Sequence, residues 1–235
     1  MVWYFRYTYQ MKLVLLAAGK GERMRPLTLH TPKPLIVYRG KPALDHLFEV
    51  LPNSIDEVII AIDYLGDQIR AHCGSLFYGK KIHYVRGDAK GNALGFLESR
   101  SFIGEGERFA VSYADDILTS QEIRDCMAHE FSWLCYRMAA PQNVGIVEVD
   151  RDHYVKAFVE KPETPTSTLV ADGFMVINSD IFSYTPMLHN KKQEYYFADM
   201  MARFCLEHKV RAVVGDSHHS QLTSPEDIDR LNRQS

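Results

Sequence analysis

Leu16-Ala17-Ala18-Gly19-Lys20-Gly21-Glu22-Arg23-Met24-Arg25-Pro26-Leu27-Thr28, closing with Pro32-Lys33-Pro34-Leu35, holds the densest set of chemistry-bearing residues in the chain. Small residues let the backbone approach a ligand closely, and Gly19 and Gly21 can adopt dihedrals closed to other residues. Exposed amides in such a turn make a nest for an anion. Lys20, Arg23, Arg25 and Lys33 place fixed positive charge beside it. Together these groups suit a polyphosphate, with charge neutralised as a phosphoryl bond breaks.

Two familiar phosphate loops are excluded. A Walker A loop needs a second Gly followed by Lys and Ser or Thr, which is not present here. A dinucleotide fingerprint needs a third Gly where Met24 stands. The run instead resembles the signature of the sugar-phosphate nucleotidylyltransferases (nucleotide-sugar pyrophosphorylases), L-A-x-G-x-G-x-R-x-x-P-L-T-x-x-x-P-K-P, with every position filled. Its opening, Ala17-Ala18-Gly19-Lys20-Gly21, looks most like the uridylyltransferase members.

Further segments carry the resemblance along the chain from Met11 onward. Arg86-Gly87-Asp88-Ala89-Lys90-Gly91-Asn92-Ala93 resembles the family's G-T-A segment, with Asn92 in place of Thr. Phe109-Ala110-Val111-Ser112-Tyr113-Ala114-Asp115-Asp116 resembles the apolar strand that ends in the magnesium-binding Asp. Aligned through Tyr113, Asp115 takes the metal position, with Asp116 the alternate if the register slips by one. Val159-Glu160-Lys161-Pro162 resembles the E-K-P signature. The C-terminal match departs: His219-Ser220-Gln221-Leu222-Thr223-Ser224-Pro225-Glu226-Asp227 stands where relatives show W-x-D-x-G-T-P-E-D, so Gln221 replaces the second metal ligand. A neutral amide oxygen attracts Mg²⁺ less than a carboxylate does.

The resemblance implies transfer of a nucleotidyl group from an NTP, by the opening motif UTP, to a sugar 1-phosphate. It implies Arg23, Lys33 and Lys161 as catalytic residues. It places Leu16, Ala17, Ala18, Gly19, Gly21, Arg86 and Gly91 on the nucleotide, and Gly145, Glu160, Asp172 and Gly173 on the sugar. Mg²⁺ is the implied cofactor, on Asp115 with Asp116 or Gln221 as alternates. Two rival readings are a cytidylyltransferase for a non-sugar phosphate such as phosphocholine, and a non-catalytic nucleotide-sugar-binding regulator. A cationic acceptor needs an aromatic or acidic cage, and the retained Glu160-Lys161-Pro162 favours sugar.

The elements that must position these residues read as alternating strands and helices. Strands are expected at Lys12-Leu16, Glu57-Ile62, Lys81-Val85 and Phe109-Tyr113, with helices at Ala43-Leu51, Gly66-Cys73 and Asn92-Arg100. Such alternation argues an α/β fold: a Rossmann-like, mostly parallel sheet flanked by helices, with ligands at the strands' carboxyl ends. In the second half, Val144-Val149 and Val155-Val159 flank a turn at Asp150-His153, and a further strand reads at Gly173-Ile177. A helix at Phe197-Glu207, a strand at Val210-Val214 and a closing helix from Ser224 follow. The expected organisation is an extension at 1–10, or an upstream start codon before Met11. A single domain at 11–235 follows, its nucleotide-binding half about 11–118 and its sugar-binding half about 119–235.

The 235 residues are 46% apolar and 24% charged, ordinary for a globular enzyme. A net charge of −3 gives no basic field for nucleic acid. No run approaches the ~20 apolar residues of a membrane span, and residues 1–10 lack the core of a signal peptide. Cys73, Cys126, Cys135 and Cys205 contain no CxxC pair, so reduced thiols in the cytoplasm are the expectation.

Overall fold

The computed structural model describes residues 10–88, 90–141, 144–189, 193–215 and 222–233. The apolar run at the start becomes strand β1 (Met11–Leu16), buried on both faces. Alternate side chains leave it in opposite directions: Leu13 and Leu15 enter one core layer, Val14 and Leu16 the other. A short hairpin, β2 (Val37–Tyr38) and β3 (Lys41–Pro42), leads into helix α1 (Ala43–Val50). Then come β4 (Ile55–Ile62), α2 (Gly66–Cys73), β5 (Leu76–Phe77), β6 (Lys80–Arg86), α3 (Asn92–Glu98) and β7 (Arg108–Tyr113). Strands β7, β1, β4 and β6 lie side by side and parallel. The four strands expected in this half are all present, each one or two residues longer at an end.

The second half adds α4 (Ser120–Met127), β8 (Ser132–Arg137), β9 (Gly145–Val149), β10 (Val155–Glu160) and the long β11 (Leu169–Asn178). It ends with a small hairpin of β12 (Leu188–His189) and β13 (Glu194–Tyr195), then α5 (Phe197–Glu207), β14 (Arg211–Val214) and α6 (Pro225–Arg233). β11 joins the halves: β8 pairs antiparallel along one of its edges, and β9 and β7 pair antiparallel with the two ends of the other. The ten-stranded sheet is therefore mixed, parallel through the first half except at its edge strand β5, and largely antiparallel beyond it.

Besides the two-residue strands β2, β3, β5, β12 and β13, the sequence does not predict α4 and β8. Their signals are local: Thr119 and Glu122 form a capping box for α4, and Ser132-Trp133-Leu134-Cys135-Tyr136 is a continuous buried run. The Asp150–His153 turn is as expected, with Asp150 Oδ1 accepting from the amides of Asp152 and Tyr154, both at 2.9 Å. All four cysteines are buried free thiols. Among the described residues no helix is long and apolar enough to cross a membrane.

A third, smaller apolar cluster matters most for the site. Met24 from the glycine loop, wholly buried, packs with Ile36, Tyr38, Leu222 and Leu231. This contact ties the loop after β1 to the segment that opens α6.

Candidate active site

The carboxyl ends of β1, β4 and β7 open into a cleft of about 510 Å³, walled by the glycine loop. The loop's shape follows from its residues. Gly21 has φ +60°, and a Cβ there would stand 2.9 Å from Thr28 Cγ2, so this turn requires glycine. Its carbonyl accepts from Thr28 Oγ1 at 2.8 Å and from the Met24 amide at 2.8 Å. Pro32 and Pro34 flank Lys33 at the head of a 3₁₀ turn, Lys33–Leu35. From there the Lys33 ammonium reaches across the cleft to the Asp115 carboxylate and forms an ion pair with it.

The loop residues Leu16, Ala17, Ala18, Gly19, Gly21, Arg23 and Lys33 all line the cleft, as do Gly91 and Asp115. Lys20 and Arg23 are exposed at its mouth and make no ion pair among the described residues. Gly91, at φ +123°, lets α3 begin against the β13 backbone, where a Cβ would fall 2.2 Å from the Tyr195 carbonyl oxygen.

Asp116 is placed differently from Asp115. Its carboxylate turns inward, accepting from Ser112 Oγ at 3.2 Å and the Tyr113 amide at 3.0 Å. It packs so closely on Gly173 that any side chain there would overlap it. Burial pushes its pKa well above the usual carboxylate range, reinforced by the charges of Asp172 and Asp115. Asp115 is thus the carboxylate that faces the cleft, and Asp116 does not line it. Gln221 lies outside the described residues, as do Asp216, His218 and His219.

Arg86 is not brought to the cleft. It shares a strand face with Tyr84, two residues away, and lines a separate depression with Asp63, Gly66 and Arg70. Gly145 and Gly173 serve close packing: a Cβ on Gly145 would meet the Phe158 ring at 2.4 Å. Asp172 and Gly173 sit where the pairing of β11 with β8 is irregular, and Trp133 Nε1 donates to the Asp172 carbonyl at 2.8 Å. Lys161, with φ +48°, turns back to pair with Glu160 at 2.6 Å. Glu160 stands near enough to the cleft that its charge bears on Tyr113 and Tyr196.

Sequence reasoning passed over several cleft residues. Asp88 and Thr223 line it from within two of the matched segments but carried no assigned role, and Glu194 and Tyr196 line it without belonging to any matched segment. Tyr113 was used to set the alignment and itself lines the cleft, and Asn92 stood only as a departure from the family pattern. Burial raises the Tyr113 hydroxyl above the usual phenol range, and the carboxylates of Asp116, Glu160 and Asp115 raise it further. Tyr196, which donates to Glu194 at 2.6 Å, is raised by burial and by that bond.

The chain's backbone matches solved structures throughout. A UDP-glucose pyrophosphorylase complexed with UDP-glucose superposes with a TM-score of 0.76 at 20% identity, over 95% of this chain and 97% of that one. In sequence, the bifunctional protein GlmU of Methanocaldococcus jannaschii is 26% identical over 95% of this chain and 54% of its own length. The bifunctional sugar-1-phosphate nucleotidylyltransferase/acetyltransferase of Sulfurisphaera tokodaii is 24% identical over 95% and 55%. The chain thus spans about half the length of these curated relatives. The sequence profile for nucleotidyl transferase matches residues 12–218. With the glycine loop, the strand-end carboxylate and the fold in agreement, the chain belongs to the nucleotidyl transferase family.

Proposed function

We propose that this chain transfers a nucleotidyl group from an NTP, with UTP favoured, to a sugar 1-phosphate, releasing pyrophosphate. The observation that carries this reading is the Lys33–Asp115 pair across a cleft rimmed by the glycine loop and the exposed Arg23. A cation held by a carboxylate next to an anion nest is poised to exchange that partner for phosphate oxygens.

A phosphate monoester loses its second proton near pH 6, so a sugar 1-phosphate is already mostly dianionic at neutral pH and needs no general base. Catalysis then rests on alignment for in-line attack on the α-phosphate and on charge stabilisation. Arg23 and Lys33 face the triphosphate and the charge that grows on the departing pyrophosphate. Lys161, released from Glu160, holds the incoming phosphate, and Glu160 accepts from a sugar hydroxyl.

The donor set also fits Mg²⁺, which takes one or two carboxylates and completes its shell with phosphate oxygens and water. Asp115 would hold it, and the ion would supply charge neutralisation to the triphosphate. Among the described residues no cluster of three metal-ligating side chains occurs. Asp115 is the described residue that would hold the ion, and Gln221, the other candidate, lies outside the described residues.

Pyrophosphate release measured over four NTPs against a panel of sugar 1-phosphates and phosphocholine tests the proposal. Release with UTP and one or more sugar 1-phosphates is expected. Release only with CTP and phosphocholine would transfer the reading to the non-sugar rival. No release from any pair would favour the regulator.

A further inference from the structure

Met24 is the apolar residue in a run of charge, Glu22-Arg23-Met24-Arg25, and the fold buries it completely. Its amide closes the Gly21 turn, donating to the Gly21 carbonyl at 2.8 Å. Its side chain shares a cluster with Leu222 and Leu231, both buried and both from the far end of the chain. Leu222 has a second attachment: its amide donates to the Asp115 carbonyl at 3.3 Å. Leu222 itself does not line the cleft. One buried residue is therefore fixed both to the loop that carries Arg23 and to the turn that carries the cleft-facing carboxylate. The segment around it is locked at each end. Asp227, at the third position of α6, reaches back to accept from the amides of Thr223 and Ser224, each at 2.8 Å. Arg39, in the β2–β3 turn, donates Nε to the Leu231 carbonyl at 2.8 Å and its amide to Asn232 Oδ1 at 2.6 Å. Sliding α6 would break bonds at both ends.

We propose that Leu222 is a positioning residue that sets the spacing between Arg23 and Asp115 while touching neither nucleotide nor sugar phosphate. This inference rests on the nucleotidyl-transfer reading above. Charge stabilisation in phosphoryl transfer depends on groups held in place beforehand, and a displacement of about 1 Å can cost ~10²-fold in rate. The exposed Arg23 side chain takes its origin from the backbone beside Met24, so the buried anchor fixes where the guanidinium starts. A change of volume at Leu222 passes through Met24 to Arg23 and through its own amide to Asp115.

Leu222→Ala keeps the amide but removes the surface on which Met24 rests. A kcat about tenfold lower is expected, with both KM values changed by less than about threefold. Leu222→Met conserves volume and should restore most of the loss. Leu134→Ala makes an equal deletion in the main core on β8, and should lower the melting temperature comparably without lowering kcat. The decisive comparison is a double variant. Arg23→Ala should cost about fivefold less in kcat in the Leu222→Ala background than in the unaltered chain, because the contact is already loosened there. Equal Arg23→Ala penalties, or equal kcat losses in Leu222→Ala and Leu134→Ala, would overturn the assignment. Should Leu222→Ala not fold, Leu222→Val takes its place with smaller losses in the same order. Failure of the underlying reading is distinct: the unaltered chain would release no pyrophosphate from any pair. The same proteins are then compared by hydrogen exchange at the amides of Met24 and residue 222. Exchange about tenfold faster in Leu222→Ala than in Leu134→Ala and Leu222→Met supports the brace, and equal rates overturn it.

Discussion

Asp115 keeps its carboxylate in the cleft against Lys33, while one residue later the chain turns Asp116 into the core against Gly173. The order of strand and acids in the sequence placed a carboxylate at this strand end. Which of the two faced the ligand depended on a close approach between β11 and the turn after β7, a contact about sixty residues away in the chain. The cationic pair was legible because its spacing is local. Arg23→Ala and Lys33→Ala should each lower turnover by ~10²–10³-fold, the cost of losing one preorganised charge contact in the transition state. Near-normal turnover at saturating substrates in either folded variant would contradict the roles assigned. Asp116 makes a prediction of a different kind. Its carboxyl holds a proton more tightly in the fold than in the unfolded chain, where Asp titrates near 3.9. That contribution is complete below about pH 3.9 and is lost as pH rises through the raised native value. The melting temperature of Asp116→Asn minus that of the unaltered chain should therefore grow as pH is raised from about 4 to about 8. Parallel curves would show that Asp116 titrates normally.

Helices and strands with strong local patterning appear where the sequence put them: α2 at Gly66–Cys73 and α5 at Phe197–Glu207 match residue for residue. The helix expected to run to Arg100 stops at Glu98 and tightens into a 3₁₀ turn over Ser99–Phe102. The β12–β13 hairpin was not legible because its two-residue strands carry no periodicity, yet it supplies Glu194 and packs against α3. The register of that packing is set at Gly91, whose positive φ and backbone contact with Tyr195 exclude a side chain; Tyr195 N in turn donates to the Lys90 carbonyl at 2.7 Å. Gly91→Ala should cost about 1–3 kcal/mol by chemical denaturation, the scale of a forced backbone conformation. An unchanged midpoint would mean that α3 and β13 separate freely.

At the scale of the whole molecule, one sheet runs through both halves, and the cleft is closed by segments from each end of the chain: Met24 meets Leu222 and Leu231. The parallel half was readable because β1, β4 and β7 are buried on both faces over most of their length and hold apolar runs. β6 (Lys80–Arg86) is only part-buried and reads more weakly. The placement of Arg86 was not readable, since a strand-end residue projects to one face or the other according to register alone. On the proposed division, Lys161 belongs to the sugar-binding half. Lys161→Ala should weaken use of sugar 1-phosphate while leaving calorimetric NTP binding by the free protein largely intact, and a large loss of NTP affinity would contradict that division.

The central claim is that the α-phosphorus of the nucleotide moves to the sugar phosphate. UTP labelled at the α-phosphate in one reaction and at the γ-phosphate in another, each with the best sugar 1-phosphate, tests it directly. The α label is expected in a nucleotide diphospho-sugar and the γ label in pyrophosphate. Appearance of the γ label on the sugar, or retention of both labels in unreacted UTP, would contradict the account.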